Sequence, residues 1–326
     1  MRPAWPHCPF FYHVKAHRQP ILELMSILSS GTVKHPLHTS TDATLRAVES
    51  LIMSLVQVSE RPSVGGSLSA TNQAAVYHLE TGGQRVRARL ALHACESLSV
   101  GREDAVRIAA AVELLHNASL VHDDLQDKDK LRRGRPTVYA AFGQDVAICT
   151  GDLLLSAAYG ALAEIRDATL LSSLLRCVHD RTSMVIQGQC AELATKDFPI
   201  TEVVRYERIV IGKSGVLLSL PIELAFLAAG QEHWVPRIRA AAHAFGIGYQ
   251  MVDDLADVIA DAEQHNLNIV LLLEAAGQNR SAVGQARRLA RHHLDRAAEI
   301  AETLPHQAGA LLVEFALDLG KRLKDD

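Results

Sequence analysis

The chain has 326 residues, 48% of them hydrophobic but only 5% aromatic, and a formal net charge of −4. That length can bury one large core or two modest ones, and abundant Ala and Leu with few β-branched runs favour helices over strands. The small negative charge gives no general reason to expect nucleic acid or an anionic membrane as partner. Five cysteines, Cys8, Cys95, Cys149, Cys177 and Cys190, form no CxxC pair, which suits a reducing cytoplasm.

The first 40 residues read as a poorly ordered N-terminal arm. They open with three prolines before residue 10, carry no acid before Glu23, and lack the apolar run of a signal peptide. A domain of residues 41–326 is expected to follow. Thr41 or Asp42 can cap its first helix, through Leu45, Val48, Leu51, Ile52 and Leu55. Pro62 to Ser69 is a Gly/Ser break, followed by a short helix and the turn Thr81-Gly82-Gly83. Further helices are expected at about 86–98, 103–127, 137–142, 145–164, 168–194, 201–211, 214–229, 233–259, 281–303 and 308–323. Asp261 to Asn268 reads as a break. No linker divides the chain, and Pro221 and Glu223 interrupt its most apolar stretch, so no transmembrane helix is expected. The reading is all-α: one helical bundle around a deep central cavity.

The strongest chemical signal is a repeated acidic pentad, Asp123-Asp124-Leu125-Gln126-Asp127 and Asp253-Asp254-Leu255-Ala256-Asp257, 130 residues apart. Positions i and i+4 share a helical face, so Asp123 stacks on Asp127 and Asp253 on Asp257. Like charges so placed destabilise a helix unless a cation sits on them, and Mg²⁺ takes one or two carboxylates plus substrate phosphates. Two facing pairs could hold Mg²⁺ ions and clamp a diphosphate. Near the first pentad, Arg132 and Arg133 come as the chain must leave the helix at Gly134 and Pro136. Arg suits bidentate phosphate recognition. His116 lies two turns before Asp123 on the same face. Upstream, Gly82-Gly83-Gln84-Arg85-Val86-Arg87 lets backbone approach an anion at a helix start.

These motifs come with Gly151-Asp152-Leu153-Leu154, Gly188-Gln189, Lys213-Ser214-Gly215 and Phe245-Gly246-x-x-Tyr249-Gln250. In that order and spacing the chain resembles the trans-isoprenyl diphosphate synthases (polyprenyl synthetases), over roughly residues 45–325. The resemblance implies a homodimer that condenses an allylic prenyl diphosphate with isopentenyl diphosphate, using three Mg²⁺ ions. It implies that Asp123, Asp127 and Asp253 bind the metal, with Asp257 supporting. Arg132, Lys213, Ser214 and Gln250 would hold the allylic diphosphate. Arg87, His116 and Arg133 would hold isopentenyl diphosphate, with Gln84 at the position of a usual lysine. Ala118 and Ser119, one turn before the first pentad, would set product length, and the small Ala118 favours geranylgeranyl or longer products.

The chain departs from that pattern at two cationic positions. Gln84 supplies no charge, although Arg85 could compensate. After the second pentad the usual Gly-Lys pair is absent, and no lysine occurs between Lys213 and Lys321, leaving His265 or a distant Arg as substitute. The alternative reading is therefore a same-fold enzyme that ionises a prenyl diphosphate and then cyclises or hydrolyses it.

Overall fold

In the computed structural model, residues 37–57, 69–277 and 281–323 are described. Residues 1–36 of the expected N-terminal arm and most of the Gly/Ser break lie outside them, and the arm's last four residues belong to the first helix. The main helices in chain order are α1 (Leu37–Val56), α2 (Ala70–Leu79), α3 (Val86–Ser97), α4 (Arg102–Gln126), α5 (Val138–Phe142), α6 (Gln144–Ala163), α7 (Ala168–Ala194), α8 (Val203–Val210), α9 (Val216–Ala228), α10 (Val235–Gln264), α11 (Ile269–Ala275), α12 (Ala282–Glu302) and α13 (Ala310–Arg322). Among the described residues, the strands are two dipeptides, β1 (Leu131–Arg132) and β2 (Arg135–Pro136).

Small residues decide how the helices meet. α4 carries Ala109, Ala110 and Ala111 fully buried and packs on α6, which offers Ala147, Ala158 and Ala161. α10 lies along α12, where a side chain on Gly248 would meet Leu294 Cγ at 2.7 Å. α9 is the central rod. Leu220, Ile222, Leu224 and Phe226 are fully buried, so hydrophobicity all round marks it as core. By length and composition alone, Gln144–Ala163 and Val203–Ala228 could each cross a membrane, but 72% of the second stretch is buried inside the protein.

Three boundaries differ from expectation. α1 begins at Leu37, so Thr41 and Asp42 lie within it and not at its start. α4 does end at Gln126, one residue short of the expected 127, and Leu131 and Arg132 then pair with Pro136 and Arg135 in a hairpin. Its two turn residues, Arg133 and Gly134, have φ of 55° and 74°, the conformation of a tight hairpin turn. α10 runs on to Gln264, where His265 adopts the left-handed region that ends helices. The unexpected α11 follows, capped by Asn268, whose side-chain oxygen accepts from Val270 N at 2.9 Å. Asn268 Nδ2 also donates to Asp254 O at 2.8 Å, pinning this segment to the second pentad.

Candidate active site

The C-terminal parts of α4, α7 and α10, the start of α3, the hairpin and the turn before α9 enclose one cavity of about 350 Å³. Asp123, Asp127, Asp253 and Asp257 all line it, so the two pentads do share one space. Within each pentad the second aspartate is instead structural. Asp124 is 1% exposed and receives Arg132 Nε at 2.8 and 2.9 Å and Nη2 at 2.7 Å. Asp254 is 2% exposed and accepts from Tyr206 OH at 2.7 Å, Gln250 Nε2 at 2.9 Å and Ile269 N at 2.8 Å. Burial nonetheless pushes the Asp254 carboxyl up to about 7. It pushes Asp123 up to about 6, where Lys213 opposes the rise and Glu192 and Asp127 add to it.

The first cations stand on the wall opposite. Residues 211–215 form a π-helical turn that presents Lys213 and Ser214, a distortion frequent at functional sites. The turn sits tight against α7. A Cβ on Gly188 would come within 2.6 Å of Gly212 C and 2.7 Å of Lys213 N. Lys213 Nζ bonds Glu192 Oε2 at 2.5 Å. Burial disfavours its charge, but Glu192 and Asp123 outweigh that and hold its pKa above the ordinary value. Lys196 Nζ lies 3.0 Å from Asp127 Oδ1.

Next to Arg132 the cavity is lined by a group of buried basic side chains. Gln84, Arg87, His116 and Arg133 line it, and each has a buried polar atom without a hydrogen-bond partner: Gln84 Nε2, Arg87 Nε, His116 Nδ1 and Arg133 Nε. Buried polar groups are normally paired, so these point to a missing anion. Burial, Arg87 and Arg133 depress the His116 pKa far below the ordinary value. Burial and the neighbouring Arg132 and Arg85 lower Arg133 to about 10. Gly83 leaves room for this crowding, since a Cβ there would meet Arg133 Nη1 at 2.7 Å. Arg85 also lines the cavity, but it is engaged by Glu49 at 3.3 Å, Glu113 at 3.7 Å and Leu79 O at 3.1 Å. It is poorly placed to replace a charge at Gln84.

Leu120, Val185, Leu217, Leu218 and Phe245 give the same cavity its apolar surface. Ser119 lines the cavity as expected. Ala118 does not; it is 4% exposed and packs in the core. The helical phase explains this, since the cavity residues of α4, His116, Ser119, Leu120 and Asp123, follow i, i+3, i+4, i+7, and Ala118 falls outside that stripe. His265 is likewise not on the wall.

Sequence reasoning missed Glu192 and Lys196. The signal was present: Gln189, Glu192, Leu193 and Lys196 follow i, i+3, i+4, i+7, and all four line the cavity. Among the described residues, no three His, Cys, Asp or Glu side chains converge to hold a metal unaided. The donors offered by the pentads are all hard carboxylate oxygens, two from each helix. A small divalent ion held so would complete its shell with phosphate and water, as Mg²⁺ does, so the residues fit that ion.

A helical shell around one cavity lined by paired aspartates and buried arginines is the all-α isoprenoid-synthase fold. A solved geranylgeranyl pyrophosphate synthetase from Geoglobus acetivorans superposes with a TM-score of 0.76, at 24% identity, over 86% of this chain and 99% of that one. The chain belongs to the polyprenyl synthetase family, whose model matches residues 69–270. It is 34% identical over 201 residues to the chloroplastic geranylgeranyl pyrophosphate synthase of Capsicum annuum, 59% of this chain and 54% of that protein. It is 31% identical over 206 residues to a short chain isoprenyl diphosphate synthase of Methanothermobacter thermautotrophicus, 62% of this chain and 63% of that one. The matches thus span somewhat over half the length of these relatives.

Proposed function

We propose that the protein is a prenyltransferase that condenses an allylic prenyl diphosphate with isopentenyl diphosphate, giving a longer trans-prenyl diphosphate and pyrophosphate. The observation that carries this is that one cavity is lined by two unlike anion-binding groups, the aspartate faces with Lys213 and the buried Arg87, His116 and Arg133. A single-substrate ionising enzyme has no use for the orphaned Arg87, His116 and Arg133.

Asp123, Asp127 and Asp253 would hold Mg²⁺, with Asp257 supporting; bound there, the ion neutralises charge on the leaving diphosphate. Lys213 sits beside Asp123 and Glu192 and holds the allylic diphosphate from the opposite wall. Arg132 keeps its fork on Asp124 and lends its charge to the same anion. Gln250, bonded to Asp254, turns an amide dipole toward the carbon left by the departing diphosphate, and Ser214 adds a hydroxyl. Arg87 and Arg133 fix isopentenyl diphosphate so that its double bond lies against that carbon. Leu120, Leu217, Leu218 and Phe245 exclude water that would quench the cation. The proton lost from the new chain passes to the released pyrophosphate.

Two further readings belong with this. The outer face of α6 carries Ile148 at 46% exposure, and only 44% of this apolar helix is buried, which supports a homodimer formed there. The four described cysteines are free thiols, which supports a reducing compartment such as the cytoplasm.

The test is product analysis with Mg²⁺ and farnesyl diphosphate, with and without isopentenyl diphosphate. Longer prenyl diphosphates, formed only with isopentenyl diphosphate, are expected. Pyrophosphate release with a hydrocarbon or alcohol product, indifferent to isopentenyl diphosphate, would overturn the proposal.

A further inference from the structure

The aspartate end of the cavity is short of positive charge for a diphosphate. Nine carboxylates line the cavity against six cations, and three of the six, Arg85, Arg87 and Arg133, belong to the arginine pocket. At the aspartate end Arg132 is clamped on Asp124, and Lys213 holds Glu192. The segment after the second pentad adds an acid and an amide, Asp261 and Asn266, and no lysine follows until Lys321. The remaining cation is Lys196.

Its position is set by α7. Gln189, Glu192 and Leu193 face the cavity, and Lys196 continues that stripe just past the last helical residue, Ala194. There the chain has left the regular helix, so the lysine stem is not held by neighbouring turns. The Lys196 side chain is the most exposed of the three cations at this end, 36% against 26% for Lys213 and 25% for Arg132. A solvent-reached ion pair is held weakly, so little opposes a change of partner. A divalent cation on Asp127 draws on the same carboxylate charge that holds Lys196, and so loosens that pair.

We propose that Lys196 is a diphosphate-binding cation of this site, pairing with Asp127 when the site is empty and transferring to a diphosphate oxygen when it is loaded. The inference rests on the diphosphate reading given above. In the unloaded protein the pair relieves repulsion within the first pentad. In the loaded protein the ammonium lies beside the leaving group, one turn further along α7's cavity face than Glu192, the partner of Lys213. It thereby supplies charge that the segment after Asp257 lacks.

The experiment is calorimetric titration of the full chain with inorganic pyrophosphate at saturating Mg²⁺. Lys196→Ala is expected to bind about ten- to a hundredfold more weakly, the scale of a lost charge-assisted hydrogen bond, and Lys196→Arg within about threefold of wild type. Thermal unfolding should change little, because the Lys196 side chain is more than a third exposed. Equal pyrophosphate affinity in Lys196→Ala and wild type would overturn the proposal. So would a defect that vanishes at saturating Mg²⁺ and shows only as a higher Mg²⁺ requirement, since that is the mark of a residue that merely positions Asp127. Wild-type protein that binds pyrophosphate and shows the Lys196→Ala loss, yet makes no longer prenyl diphosphate, would support Lys196 and overturn the elongation reading alone.

Discussion

Replacing Gly188 by Ala adds one methyl group at the place where α7 touches the π-helical turn. The new Cβ would lie 2.6 Å from Gly212 C, 2.7 Å from Lys213 N and 2.9 Å from Gly212 Cα, all backbone atoms that cannot escape by changing rotamer. Ordinary contact begins near 3.4 Å, so the two segments must part by about 0.8 Å. Overpacking of this kind costs about 1–3 kcal/mol, and the helix preference of Ala over Gly returns at most about 1 kcal/mol. In a domain of this size the net loss lowers the melting temperature by roughly 2–6 °C. The larger effect is on chemistry. Lys213 rides on the displaced turn, and a shift approaching 1 Å in a positioning group costs about a hundredfold in turnover. Melting curves and steady-state turnover with farnesyl and isopentenyl diphosphates measure both. Gly320→Ala is the control: it lies within α13, and nothing stands within 4 Å of its added Cβ, so it should melt no lower and turn over normally. Wild-type melting and turnover in Gly188→Ala would refute the claim that close backbone contact positions Lys213.

Two other outcomes follow from burial. His78 is 3% exposed, bonds Asn117 Oδ1 at 3.1 Å, and has its pKa lowered to about 3 by burial and by Arg132 and Arg133. Its folded pKa lies below the unfolded value, so the unfolded chain takes up the proton first. The stability it contributes is complete above pH 6.5 and falls as pH drops toward 3. The loss is about 2 kcal/mol by pH 5 and on the order of 5 kcal/mol in all. Urea unfolding from pH 7.5 to 5 should show this slope, reduced in His78→Gln; an unreduced slope would sink the assignment. At the cavity wall, Ser119→Phe is expected to shorten the longest product while the protein melts near normally. Ala118→Phe should instead overpack the core and lower stability by about 1–3 kcal/mol. Chromatography of the products and melting curves separate the two, and shorter products from a well-folded Ala118→Phe variant would contradict the placement.

Much of the site was legible because helical geometry links spacing to direction. Asp123 with Asp127, and Asp253 with Asp257, had to share faces whatever the tertiary fold, and both faces do open on one cavity. Helix identity was equally local, since Ala, Leu and charged residues at a 3.6-residue period leave little choice. Other features depended on contacts between distant segments. The hairpin at Leu131–Pro136 exists because two short extended pieces pair, and α11 because Asn268 ties residue 269 to Asp254. Neither has a periodic signal of its own.

The sequence by itself determined the helices, the aspartate faces and the charge missing after Asp257, because each is a property of residues within a few turns of one another. Only the tertiary structure decided what each member of a motif contacts. It turned Asp124 and Asp254 toward Arg132 and Tyr206, placed Ser119 but not Ala118 on the wall, and engaged Arg85 with two glutamates. It also brought Lys196 to Asp127 across 69 residues of chain. The reason is that a side chain's partner is chosen by packing, where burial makes an unpaired charge costly, and packing joins segments that are far apart in sequence.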